Sequence, residues 1–315
     1  MPIITTAAAS PAPPPVLVPE TGYISVTYYD PAGTEWPLTD PSVGWHTLAD
    51  GVSGLGAAPV ELTTDPHPRG GSRLRHIQPL ARSIVWPLHV SGATHAEFIA
   101  RWRDLARAFT RTLRDGPGLL EVARPDGSRR HIRVYYEDGF DGQSSRNGSS
   151  PLYDSAVLTL YCEDPYWVDP VAETVHRKYG SAVPFLSPFP TVSSGQLLGS
   201  TTVTNPGDVV VWPTWTITGP ASLVTFTRTD TGESFVLNPT AVGHGNLLAE
   251  EQVTVRTDPP QVRYQDGSNW IGALDWPSAS LWSLPPGSTP VTFQLDGSAA
   301  GSAVEMTFNP RFETA

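Results

Sequence analysis

Thr94-His95-Ala96-Glu97-Phe98-Ile99-Ala100-Arg101-Trp102-Arg103-Asp104-Leu105-Ala106-Arg107-Ala108-Phe109-Thr110-Arg111-Thr112-Leu113-Arg114-Asp115-Gly116-Pro117-Gly118 carries the clearest helical period in this 315-residue chain. It opens as a capping box, with the Thr94 hydroxyl at the N-cap and Glu97 three residues on reaching back to the free amides. Phe98, Ile99, Trp102, Leu105, Ala106, Phe109 and Leu113 fall on one stripe, and Arg101, Arg103, Asp104, Arg107 and Arg111 face away from it. Gly116 and Pro117 stop the run. The spacing predicts a helix over 94–114 whose packing face is Phe98, Trp102, Leu105 and Phe109. A lone amphipathic helix must bury that stripe on something, and its surroundings have the two-residue period of strands.

Upstream, Ile24, Val26 and Tyr28 alternate with Ser25 and Thr27, as in a half-buried strand. A turn-rich stretch follows, marked by Asp30-Pro31-Ala32-Gly33 and Asp40-Pro41. Another strand is expected through Ile84, Trp86, Leu88 and Val90, where Pro87 argues for an edge or a bulge because proline cannot donate to a ladder. Downstream, 119–123 and 132–136 flank Pro125-Asp126-Gly127, a hairpin signal. Ala156, Leu158, Leu160 and Cys162 then point one way, and Val157, Thr159 and Tyr161 the other. The polar, glycine-rich loop from Asp138 to Ser150 is expected to be mobile or ordered by a partner.

Residues 1–20 are rich in Ala, Pro and Thr and read as a flexible arm or a strap on a neighbour. A β domain with the helix is assigned to 21–180 and a Pro-interrupted linker to 181–200. A second β domain is assigned to 201–315. There Trp215 and Ile217, Phe226, Phe235 and Leu237, Val253 and Val255, 264–270, 291–295 and 304–308 read as short strands. Their spacing suggests a sandwich. The expected fold class is mainly β: an N-terminal β-sandwich or split barrel with one packed α-helix, then a C-terminal β-sandwich.

Composition narrows the function. Hydrophobic residues make 39% and charged residues 16% of the chain, with 28 glycines and 33 prolines, as many strands and tight turns require. The net charge is −11 and Lys178 is the only lysine, so sequence-specific nucleic-acid binding has no basic surface to rest on. Cys162 is the only cysteine, which excludes an intrachain disulfide and a thiolate zinc site. The first residues lack a signal-peptide pattern, so the chain is expected to fold in a cytoplasm. No run approaches the ~20 apolar residues of a membrane span.

Chemistry finds no support. The eight histidines are scattered and form no His-Glu-x-x-His pair. Gly54-Leu55-Gly56 lacks the third glycine and following helix of a phosphate loop. Asp138 and Asp141 are too few for a calcium loop. Glu163-Asp164 and Glu250-Glu251 are adjacent and so point to opposite faces if on strands. No Gly-x-Ser-x-Gly elbow occurs. No catalytic residue, metal ligand or cofactor site is assigned. Among the 10 tryptophans, Trp270, Trp276 and Trp282 lie beside turns and are expected to be the most exposed. Such indoles serve cores and protein interfaces, or stack on sugar rings.

Taken in order, several motifs resemble those of siphophage distal tail proteins. Glu35-Trp36-Pro37-Leu38, 51–56, the capped helix with Trp102 and Leu105, 124–127, and Glu163-Asp164-Pro165-Tyr166-Trp167 resemble the first domain of that family. Val203-Thr204-Asn205-Pro206-Gly207-Asp208, Trp212-Pro213, Thr231-Gly232 and Leu284-Pro285-Pro286-Gly287 resemble its galectin-like second domain. The resemblance implies a non-enzymatic virion protein at the tail tip, made in the host cytoplasm. It implies a hexameric ring that joins the tail tube to the tail-tip hub and leaves a lumen for DNA. The implied partners are further copies of the chain, the tube protein and the hub or tail-associated protein, with the tape measure protein as a further neighbour. Two alternatives stay open: a carbohydrate-binding tail-tip adhesin, and a baseplate or tube component of a related injection machine.

Overall fold

The computed structural model describes residues 24–48, 50–141, 152–180 and 197–315. The expected N-terminal arm, the loop beyond Asp141 and the linker up to residue 196 lie outside the described residues. The chain forms two compact units, Met1–Val171 with Phe312–Ala315, and Ala172–Arg311.

The first unit contains β1 (Ser25–Tyr29), β2 (Glu35–Pro37), β3 (Trp45–Thr47), β4 (Val60–Pro66), β5 (Ser72–Pro79) and β6 (Arg82–Ser91). After these come α1 (His95–Thr110), α2 (Thr112–Asp115), β7 (Gly118–Ala123), β8 (Arg129–Asp138), β9 (Tyr153–Cys162) and β10 (Trp167–Val168). Its main sheet runs β2-β1-β7-β8-β9-β6-β3. Alternation works as expected along β9, where Ala156, Leu158, Leu160 and Cys162 are buried and Val157 and Tyr161 are exposed. The turn at Pro125-Asp126-Gly127 closes β7 onto β8, with the Gly127 amide donating to the Arg124 carbonyl at 3.0 Å.

Pro87 lies inside β6, between β9 and the edge strand β3. The Val85 and Pro87 carbonyls accept from Ser53 and Leu48, so both residues turn their backbone groups away from β9. The donor that proline lacks therefore falls on the β3 side, where pairing is short.

Thr94 caps α1 by accepting from the Glu97 amide at 3.2 Å, and the Glu97 carboxylate accepts from the Ala93 amide at 2.8 Å. Phe98, Leu105, Ala108 and Phe109 are buried, with Trp102 packed against the same core. Phe109 stacks on Tyr28 at 4.1 Å, and the Tyr28 hydroxyl donates to the Ala108 carbonyl at 3.1 Å. The expected stripe overshoots at one residue. The helix breaks at Arg111, so Leu113 turns outward and Thr112 takes the inner place, donating to Phe109 O and accepting from the Tyr136 amide.

The second unit contains β11 (Glu173–Lys178), β12 (Leu197–Asn205), β13 (Thr214–Thr218), β14 (Leu223–Arg228) and β15 (Ser234–Leu237). It continues with β16 (Gln252–Arg256), β17 (Gln261–Tyr264), β18 (Gly287–Asp296) and β19 (Ala303–Phe308). One sheet is β11-β19-β13-β16-β17 and the other β12-β18-β14-β15. Their inner faces share one core. At its centre Trp215 stacks on Phe226 at 4.5 Å and meets Phe235, Trp282 and Phe293 edge-on.

Two boundaries differ from the sequence expectation. Residues 173–178 pair with β19 along their whole length, so they belong to the second unit and not to a first domain ending at 180. Phe312–Ala315 returns to the first unit, where Phe312 lies in β20 (Arg311–Phe312), the partner of β10. Buried Arg82 donates to the Gly54 and Gly56 carbonyls, each at 2.7 Å, and to Glu313 O at 3.0 Å. Arg124 donates to Ala315 O at 2.7 Å and Arg130 to Thr314 O at 2.6 Å, while the Ala315 amide donates to Leu55 O. Gly54-Leu55-Gly56 is thus a docking loop for the tail. Gly54 has φ 90°, and a Cβ there would strike the Ser83 carbonyl and Ile84 Cα, so only glycine fits.

Candidate functional site

Reactive chemistry has little to build on. Among the described residues, no group of three or more His, Cys, Asp or Glu is placed to hold a metal ion. No helix among them is long and apolar enough to cross a membrane. Cys162 is buried, and burial pushes its thiol up to about 12 although neighbouring Arg82 pulls it down, so the thiolate that attacks or ligates is not formed near neutrality. His46 and His89 are cross-strand neighbours whose rings lie 5.2 Å apart. His89 contacts Ser155 Oγ at 3.1 Å, and burial, with His46 nearby, lowers its pKa.

The informative surface is apolar. β4 and β5 form a two-stranded sheet of their own. Cross-strand pairs Val60↔Pro79, Leu62↔Ile77 and Thr64↔Leu74 put these six side chains on one face, since directly opposed residues share a side. Val60, Leu62, Leu74 and Ile77 are each 49–56% exposed. Glu61, Thr63, Asp65, Arg73, His76 and Gln78 fill the opposite face. An isolated hairpin is marginally stable in water, and an exposed apolar face rimmed by charge marks an interaction surface.

A second apolar row lies on the outward side of β9. Tyr153, Val157 and Tyr161, spaced four apart and so on one face, are 40–57% exposed. Tyr135 of β8 stands opposite Tyr161 and extends the row.

The residues singled out from sequence divide differently. Phe98, Trp102, Leu105 and Phe109 form the inner face of α1 and are spent on the core of the first unit. Trp270, Trp276 and Trp282 do not converge. Trp282 is 2% exposed, and its indole donates to the Phe226 carbonyl. Trp270, at 6%, stacks on Tyr264 at 4.5 Å. The expectation of exposure holds for Trp276 alone, at 52%, with its indole donating to Ile271 O. A turn-rich sequence does not expose a large side chain when the turn itself folds over the sandwich core.

No protein-family model matches the chain, and comparison with curated proteins finds no match. Solved structures do match. The Dit (gp 19.1) protein of phage SPP1, described as a paradigm of the hub adsorption apparatus in phages infecting Gram-positive hosts, superposes with a TM-score of 0.64 at 15% identity. The match covers 92% of this chain and 99% of that one. The chain folds like SPP1 Dit. Chains of the phage P2 baseplate in its activated conformation, solved with calcium and with strontium, share the Dit-like fold at a TM-score of 0.54. Their identities are 11% and 12%, and each match covers 93% of this chain and 100% of the other.

Proposed function

We propose that this chain is a structural tail-tip protein of a long-tailed phage, a distal tail protein. In this reading the first unit closes into a ring that joins the tail tube to the tail-tip hub, with an open lumen for DNA. The second unit is a galectin-like sandwich carried by that ring. The reading is supported by the Dit-like fold over nearly the whole chain and by the motif order in the sequence. The uncovered apolar face of the β4–β5 hairpin carries it: a subunit that leaves such a face bare completes its burial on a neighbour. A head-to-tail contact closes into a ring when its rotation divides a full turn. Ring-bearing components of related injection machines share these requirements.

Sedimentation and native mass spectrometry of the purified protein test the reading. A closed multiple of the 33.9 kDa subunit is expected, with six copies as the assigned number. Replacing 60–79 by a short Gly-Ser turn is expected to return a single subunit. Intact protein that stays a single subunit at high concentration overturns the ring. Of the three indoles assigned to it, the adhesin reading retains one exposed, Trp276, and glycan binding lost on Trp276→Ala supports it in place of the ring.

A further inference from the structure

Among the described residues, most of the large apolar side chains exposed on the first unit fall into two groups. One is Val60, Leu62, Leu74, Ile77 and Leu80 on and just after the hairpin; the other is Leu152, Tyr153, Val157 and Tyr161 on and just before β9. Leu113 and Val171 lie apart from both. A ring built head to tail needs two different patches on each subunit, and the first unit presents two. The dimensions agree: at ~3.3 Å per residue the hairpin face runs roughly 17 Å, within the roughly 26 Å from Tyr153 to Tyr161.

The charges also agree. Arg69 at the hairpin tip and Arg73 on β5 are exposed and make no ion pair among the described residues, against one such carboxylate, Glu61 of β4. Around β9, Glu137, Asp138 and Glu163 are exposed and likewise lack ion pairs among the described residues, outweighing Arg133 of β8. A cationic hairpin edge and an anionic rim favour this pairing over hairpin against hairpin, which would bring Arg69 and Arg73 of two copies together.

We propose that the apolar face of the β4–β5 hairpin docks on the outward face of β9 in a neighbouring copy of this chain, with Leu62, Leu74 and Ile77 against Tyr153, Val157 and Tyr161. This rests on the ring reading above and names its two halves. Two variants separate the halves: a copy with 60–79 replaced by the Gly-Ser turn keeps only the β9 face, and Val157→Asp keeps only the hairpin. Each is expected to sediment as a single subunit, and an equimolar mixture is expected to yield a heterodimer, because one intact contact survives. Leu113→Asp, which is on neither patch, is expected to leave the assembly whole.

Should Val157→Asp unfold, a disulfide trap decides instead. A copy carrying Ile77→Cys is mixed with one carrying Val157→Cys, and oxidation is expected to join them only in the mixture; buried Cys162 does not interfere. Assembly undiminished by Val157→Asp, dimers held hairpin to hairpin, or no cross-link in the mixture overturns the β9 assignment and leaves the ring standing. Intact protein that remains a single subunit removes both.

Discussion

The two units solve the same burial problem in opposite ways. The second closes two sheets over one core centred on Trp215 and, among the described residues, leaves scattered apolar side chains such as Trp212, Leu248 and Trp276 at its surface. The first covers one side of its sheet with α1 and borrows Phe312–Ala315 from the far end of the sequence. It still leaves a hairpin and the outward row of β9 bare. The difference bears on where the proposed assembly would reside. In the proposed ring, the unit whose apolar surface is consumed internally is the one carried, and the unit with two uncovered faces is the joint.

The sharpest way to break the contrast is Trp215→Ala. It removes the ring that Phe226, Phe235, Trp282 and Phe293 all touch, and a cost of about 3–5 kcal/mol is expected. Amide exchange resolved by segment in urea should show the sandwich opening early while β6 and β9 keep their protection. Trp215→Phe should cost less, because the Trp215 indole nitrogen has no hydrogen-bond partner to lose.

Arg82→Ala probes the other side of the comparison. It strips partners from the Gly54, Gly56 and Glu313 carbonyls, and about 3 kcal/mol should be lost. The loss should be confined to the first unit in the same exchange experiment.

Acid gives a smaller effect on the same unit. Burial lowers the pKa of His131, with Arg133 adding to it, and burial with His46 lowers that of His89, against an opposing pull from Asp154. The folded state therefore holds both rings neutral, and the unfolded state takes protons first as pH falls through about 6.5. Stability from these rings is complete above that value and declines below it until the depressed folded values are reached. Protection of β3, β6 and β8 should weaken over that interval, and replacing His131 by Gln should flatten the decline. The least effect is expected from Trp276→Ala, within about 0.5 kcal/mol, read from the urea midpoint of the sandwich.

Local pattern revealed much of this molecule. The capping box at Thr94, the stripe through Phe98 and Phe109, and the alternation in β9, β13, β16 and β18 are short-range signals, and each matches its element. The hairpin was harder to read. A bulge between Thr63 and Thr64 shifts the register, so Leu74 and Ile77 share a face although they lie three positions apart, and the two-residue period is lost. The stretch then reads only as turns. Trp270 and Trp282 misled for the opposite reason: their neighbours are turn-formers, while contacts distant in sequence decide their burial. The return of Phe312–Ala315 has no local signature, since the Glu313, Thr314 and Ala315 carbonyls accept from Arg82, Arg130 and Arg124, which lie 231, 184 and 191 positions earlier.

That return orders events during synthesis. A ribosome that has delivered the helix and every strand from β1 to β10 has still to translate the entire sandwich before the four residues that satisfy Arg124, Arg130 and the third bond of Arg82 exist. The hydrogen bonds from Arg124, Arg130 and Arg82 to residues 313–315 therefore close the first unit only after the sandwich has been translated.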